Sequence, residues 1–387
     1  MRKEDVRKLA EVEERACVSM TVPASSLPER QAENQIRFKN LLQEACRKLE
    51  EEAPELAEAM VKKIESLWQE NCSVDTVDGA MAIFASPDTA KTYSLPVGAM
   101  EKVVVGNRFS IRDLLYALDR SVTCYLLTLS ESRAELYHGC NGDLEPVTDR
   151  FPLEHVIYEA PVEKVRSSEP AGQWLGGRGL KRLSGDAVAT PGIYVRDVQT
   201  QEDERLRKFF RLVDLRLFQA IQEHCLPVLI YTTRQNYVVF KDLSQNSSSI
   251  ADVIYGAPHK LSLSELKASV RPYTVEIAER ETECALAGLE RARSRKLYAA
   301  GLQECWQLAR QGRIERLFVE RRFEKPVFEL AGGSVSESVP AGAREIRQVE
   351  RPVGETMTSA FLSQADISFV NPGQLGDHNH LAAILRY

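Results

Sequence analysis

Apolar residues spaced three and four apart along this 387-residue chain mark helices, while short continuous or alternating apolar runs mark strands. A charged helix opens the chain, and residues 17–22 alternate as a strand. From about 28 to 69 the spacing turns helical. Phe38, Leu41, Leu42, Ala45 and Leu49 share one face, and Ala53, Leu56, Ala57, Met60, Ile64 and Leu67 continue a second. Pro54 suits the first turn of that second helix, where its missing N–H costs nothing. Apolar runs at 80–85, 93–95 and 102–105 follow, each bounded by turn residues. The pattern predicts an α+β segment ending near Ala117.

A different pattern begins at Ser121. Thr123–Leu129 is a continuous apolar strand, 134–138 a second, and Asn141 with Gly142 supplies a tight turn after it. Periodicity then disappears from 163 to 201, a stretch rich in Gly, Ser, Pro, Arg and Lys, with one short strand expected at 193–195. Loops this long in a compact domain are usually functional or disordered. Leu206, Phe209, Phe210, Val213, Leu217 and Ile221 define an amphipathic helix, and 227–231 a buried strand. Together these elements predict an α/β layer. The last segment opens on a helical stripe of Ala278, Thr282, Ala285, Leu286 and Leu289. A second helix carries Leu302, Cys305, Trp306 and Ala309 and stops at Gly312. A strand at 316–319, a Gly/Ser/Pro-rich loop at 331–343 and an apolar strand at Leu381–Leu385 complete a small α/β/α sandwich.

Composition narrows the possibilities. Hydrophobic residues at 43% and charged residues at 27% describe a folded chain, and its length suits two or three domains. No run approaches the ~20 apolar residues of a membrane span, and the charged start has no apolar signal segment, so a cytoplasmic protein without membrane contact is expected. The eight cysteines show no paired metal-knuckle spacing and read as reduced thiols, mostly in apolar or helical patterns. No phosphate-binding glycine loop ending in Gly-Lys-Ser/Thr, no His-Glu-x-x-His and no serine elbow is present. Asp377, His378 and His380 could in principle bind a metal, but histidines in a turn before a strand are expected to be solvated loop residues. No cofactor is expected.

Net charge is −6, so any nucleic-acid contact must come from local patches. Between 291 and 322, nine cations (Arg291, Arg293, Arg295, Lys296, Arg310, Arg313, Arg316, Arg321, Arg322) face three acids. Between 163 and 183, Lys164, Arg166, Arg178, Lys181 and Arg182 face two acids, with Trp174 among them. Solvated helix and loop faces carry such runs too. In the loop, however, one aromatic amid glycines and cations suits stacking on RNA and tracking of its backbone. The expected RNA-contacting residues are Lys164, Arg166, Trp174, Arg178, Lys181 and Arg182, with Arg291, Arg293, Arg295 and Lys296.

Several segments, in order, resemble the bacterial release-factor-like proteins, relatives of archaeal and eukaryotic peptide-chain release factor one and of Pelota. They are Val18-Ser-Met-Thr-Val, Gln35-Ile-Arg-Phe-Lys-Asn-Leu-Leu, Gly106-Asn-Arg-Phe-Ser-Ile-Arg-Asp-Leu-Leu and Tyr125-Leu-Leu-Thr-Leu-Ser. Arg207-Lys-Phe-Phe-Arg-Leu-Val-Asp looks like the middle-domain helix of that family. Tyr298-Ala-Ala-Gly-Leu-Gln-Glu, Gly312-Arg-Ile-Glu-Arg-Leu-Phe-Val and the closing Leu381-Ala-Ala-Ile-Leu-Arg-Tyr are similar to its third domain.

The resemblance implies α/β and α+β architecture in three domains: an α+β domain at 1–119, a ribonuclease-H-like domain at 120–272 with the long basic loop 163–201, and a kink-turn-protein-like α/β/α domain at 273–387. It implies the ribosome, through ribosomal RNA, as partner, with a translational GTPase such as elongation factor Tu as a candidate second one. True release factors carry a Gly-Gly-Gln tripeptide in the middle-domain loop, which positions water at the peptidyl-tRNA ester. This loop holds Ala171-Gly172-Gln173 and Gly176-Gly177-Arg178 instead. The Cβ of Ala171 disfavours the positive φ that glycine reaches freely, so Gln173 is only a weak catalytic candidate. The expectation is a non-catalytic factor in the A site of idle or stalled ribosomes, acting in hibernation or rescue. Alternatives are a hydrolase using the variant loop and an RNA-binding adaptor away from the ribosome.

Overall fold

The computed structural model of the chain describes residues 1–24, 31–72, 79–95, 99–140, 143–154, 192–330, 333–339 and 346–387. They form a mixed α/β protein of two compact units, one built from 1–122 with 274–387 and the other from 123–273.

In the first unit α1 (Lys3–Ala10) leads into β1 (Glu13–Ala24), α2 (Gln31–Glu52) and α3 (Pro54–Cys72), with Pro54 at the first helical position. Then come β2 (Gly79–Ala85), β3 (Ala90–Leu95), β4 (Lys102–Arg108) and α4 (Arg112–Asp119). The strands form an antiparallel sheet in the order β3-β2-β1-β4. β1 is buried on both faces because both are covered. Val18, Met20 and Val22 meet the apolar stripes of α2 and α3, whereas Cys17 lies in a second core with α1, α4 and residues beyond 297. Phe38 stacks on Trp68 at 4.4 Å, so Trp68, and not the half-buried Leu67, closes the α3 stripe.

The second unit contains β5 (Thr123–Leu129), β6 (Arg133–Cys140), β7 (Asp143–Pro146), β8 (Leu153–Glu154), α5 (Gly192–Glu223), β9 (Val228–Thr232), α6 (Arg234–Leu243) and β10 (Ile250–Tyr255). Its sheet runs β10-β9-β5-β6-β7, with β8 pairing farther along β6. β5, β9 and β10 are parallel, while β6 and β7 turn back antiparallel. The turn residues Asn141 and Gly142 lie outside the described residues. On α5, Phe209, Phe210, Val213 and Leu217 pack against Leu127, Ile230 and Phe240. Each such fully buried side chain contributes about 1.5–3 kcal/mol. Two expectations fail here. Residues 193–195 are helical, and α5 begins at Gly192, so 192–201 is helix in place of the expected loop and short strand. The early turns lack an apolar stripe of their own, which is why periodicity missed them.

α7 (Leu263–Ser294) is one helix that starts well before the stripe at Ala278 and carries Pro272 inside it. Its start is a capping box: the Ser262 amide donates to the Glu265 carboxylate at 2.8 Å. The remainder of the first unit holds β11 (Tyr298–Ala300), α8 (Leu302–Arg310), β12 (Ile314–Glu320), β13 (Val327–Glu329), β14 (Val335–Ser336), β15 (Arg347–Val349), α9 (Pro352–Leu362), β16 (Asp366–Val370) and β17 (Leu381–Leu385). A four-stranded sheet runs β11-β17-β12-β16, and a small one runs β14-β13-β15. The stretch expected as loop at 331–343 therefore contributes β14. Trp306 anchors this small sheet: its indole donates to the Gly333 carbonyl at 3.1 Å, and Val327, Val335 and Val349 surround it.

Candidate nucleic-acid interface

α7 ends in a Schellman turn. The Leu297 amide donates to the Ala292 carbonyl and the Lys296 amide to the Arg293 carbonyl, at 3.0 and 3.1 Å. Lys296 takes the left-handed backbone, φ 62°. Four cations gather at this helix end, and Arg291, Arg293, Arg295 and Lys296 are all exposed. Cations near a helix C-terminus are stabilised by the unpaired carbonyls, by roughly 0.3–1 kcal/mol each. That effect alone would account for some of them. It does not account for all four being displayed to solvent, with no ion pair formed by Arg295 or Lys296 among the described residues.

A side-chain network supports the cluster from behind. The Arg293 guanidinium lies 5.9 Å from the Tyr298 ring centroid. The Tyr298 hydroxyl hydrogen-bonds His378 Nδ1, and burial raises the tyrosine pKa. His378 Nε2 lies 3.5 Å from Glu290 Oε1. His378 is thus buried, with 7% exposure, contrary to its expected place as a solvated loop residue. His380 differs again: its Nδ1 meets Glu320 Oε2 at 2.8 Å, and its ring stacks on Phe323. The other Glu320 oxygen accepts the Gly373 and Leu375 amides, so this buried carboxylate shapes the turn. Among the described residues no group of His, Cys, Asp and Glu could hold a metal ion.

The nine-cation patch does not survive as one surface. Arg310 pairs with Glu329 at 2.6 Å and covers Trp306. Arg313 donates to the Tyr387 carbonyl at 2.7 Å. Arg316 reaches Asp366 at 3.5 Å, and Arg321 lies over the Tyr116 ring. Arg310, Arg313 and Arg316 fasten the third segment internally, and Arg321 ties it to α4. Charge counting cannot distinguish them from Arg291 and its neighbours, because pairing depends on partners distant in sequence. Lys164, Arg166, Trp174, Arg178, Lys181, Arg182 and Gln173 lie outside the described residues. Sequence reading also missed Tyr298, Glu290 and His378 as supports; Tyr298, opening a strand two residues past the cations, was the available signal.

Residues 124–313 match the family model "bacterial archaeo-eukaryotic release factor family 3". The chain is release-factor-like. None of the curated protein sequences matches it. Among solved structures, archaeal translation termination factor aRF1 is 13% identical, with 100% of this chain and 99% of that one covered and a TM-score of 0.23. Archaeal Pelota, in a model of ribosome-bound Pelota and ABCE1, is 14% identical over 100% and 94%, with a TM-score of 0.40. Dom34 of S. cerevisiae, a translation termination-like factor interacting with Hbs1, is 10% identical over 80% and 79%, at 0.35. The assignment of this release-factor-like protein rests on the matched residues, which include β5 through α8 and the whole 291–296 cluster. Among the described residues no helix is long and apolar enough to cross a membrane.

Proposed function

We propose that this release-factor-like protein is a cytoplasmic, ribosome-directed translation factor that enters the A site of idle or stalled ribosomes, in hibernation or rescue. The family match over 124–313 carries the reading. The exposed cations at 291–296 support it, since phosphate backbones attract such clusters and arginine can grip phosphate with two parallel bonds. The strand order β7-β6-β5-β9-β10 suits a ribonuclease-H-like middle domain, and the β11-β17-β12-β16 sheet with α8 and α9 suits a kink-turn-protein-like third domain. A three-domain division at 1–119, 120–272 and 273–387 belongs to this reading, as does delivery by a translational GTPase such as elongation factor Tu. Ribosomes with a vacant A site should bind the protein, and A-site tRNA should displace it. Binding indifferent to A-site tRNA would overturn the assignment.

A second reading, peptidyl-tRNA hydrolysis, is favoured by one observation: Gln173 follows Gly172 within the expected loop. It requires release of peptide that is lost on Gln173→Ala. Absence of release, or release unchanged in the variant, removes it.

A further inference from the structure

The first unit contains a cleft of about 640 Å³ lined by residues of α2, β4, α4, β15 and α9, with the α2 carboxylates Glu51 and Glu52 on its wall. Lys102, Arg112, Arg351 and Glu324 lie along it. Arg112 is fully engaged: it pairs with Glu324 at 2.8 Å and donates to the carbonyls of Glu320, Arg321 and Phe323. Glu324 is used up in turn, its second oxygen accepting the Val353 amide at 3.0 Å. The nearby Asp113 accepts the Thr21 hydroxyl. Among the described residues, two of the cleft's cations are left with unused donors. Lys102 makes a single long contact, 3.4 Å to the Ser110 hydroxyl. A terminal guanidinium nitrogen of Arg351, Nη1, is buried with no hydrogen-bond partner among the described residues.

These two groups also repel. Burial depresses the Lys102 pKa first; the Asp113 carboxylate and, more weakly, Glu324 oppose this, while the charges of Arg351 and Arg112 depress it further. Leaving a buried charged donor unpaired costs more than an ordinary hydrogen bond returns. An unpaired guanidinium nitrogen and a desolvated ammonium lining one cleft are donors that an anion could satisfy. We propose that this cleft binds a terminal phosphate monoester, gripped by Lys102 and Arg351. A tetrahedral group with three acceptor oxygens can meet a fork and a point donor arriving from different directions. A phosphodiester has two non-bridging oxygens, whereas a chain end or a small phosphorylated molecule presents three.

The test uses the full chain with inorganic phosphate, AMP, adenosine, and one oligonucleotide with either a 5′-phosphate or a 5′-hydroxyl. Calorimetry and thermal melting should detect phosphate and AMP but not adenosine. AMP alone would mark a small molecule as the source, and the 5′-phosphorylated oligonucleotide in addition would mark a nucleic-acid end. Lys102→Met and Arg351→Gln should each weaken binding about tenfold or more, as removal of a charge-assisted bond requires. Lys102→Met removes a desolvated charge that makes one long contact and should leave the fold intact, so it decides the matter if Arg351→Gln does not fold. Three results would overturn the proposal: sodium chloride or acetate at equal ionic strength matching phosphate, Lys102→Met binding like the wild type, or oligonucleotides binding regardless of the 5′-group.

Discussion

Lys296 occupies a backbone conformation that suits glycine, at the turn that ends α7. The left-handed region costs an ordinary side chain roughly 1 kcal/mol or more. Gln364 accepts the same penalty after α9, while Gly312 avoids it after α8. Lys296→Gly should therefore raise stability by about 0.5–1 kcal/mol in urea denaturation while weakening RNA binding. A variant that loses both would show that the lysine matters for the fold instead. Asp119 offers a second test at this scale. Burial lifts its pKa to about 6, and the Phe369 amide and Arg120 offset this only in part. The folded-state value exceeds the unfolded one, so the contribution to stability is full below about pH 4 and is lost as pH rises through about 6. Asp119→Asn keeps an acceptor for the Phe369 amide and should flatten that part of the stability-against-pH curve. An unchanged slope would contradict the buried-acid reading.

At the scale of elements, packing faces were legible and joints were not. The stripes of α2, α3 and the buried part of α5 follow directly from three-and-four spacing, because each meets one sheet. The strands Thr123–Leu129 and Leu381–Leu385 coincide with their apolar runs. β10, α6, α9, β16 and the β13–β15 sheet went unread, since short strands bounded by charged residues give little periodicity. The start of α7 was readable in principle, as Ser262 and Glu265 stand at capping-box spacing. The join between α5 and the chain after α6 was not. There buried Asp214 accepts the Ser244 hydroxyl at 2.6 Å, the Gln245 amide at 3.0 Å and the Asn246 side-chain amide at 2.8 Å. Asp214→Ala strands these donors and should cost about 3 kcal/mol. A loss under about 1 kcal/mol, the worth of one ordinary hydrogen bond, would mean that the network is not holding α5.

For the whole molecule, net charge and local charge point in different directions. A chain of net charge −6 is repelled by RNA at long range, so binding must depend on exposed clusters at short range. Of the candidate RNA residues, those in 291–296 stand on a helix end supported by Tyr298, His378 and Glu290. The sequence made the cluster visible, but not its separation from Arg310, Arg313 and Arg316, which are bound within the protein. The decisive measurement is cosedimentation of the purified protein with 70S ribosomes at rising salt. Wild type should bind at low salt and weaken steeply as salt rises. Changing Arg291, Arg293, Arg295 and Lys296 together to alanine should weaken binding and flatten the log–log salt slope by about 0.7–0.9 for each phosphate no longer neutralised. Wild-type binding no stronger than that of a neutral control protein would contradict a ribosome-directed role.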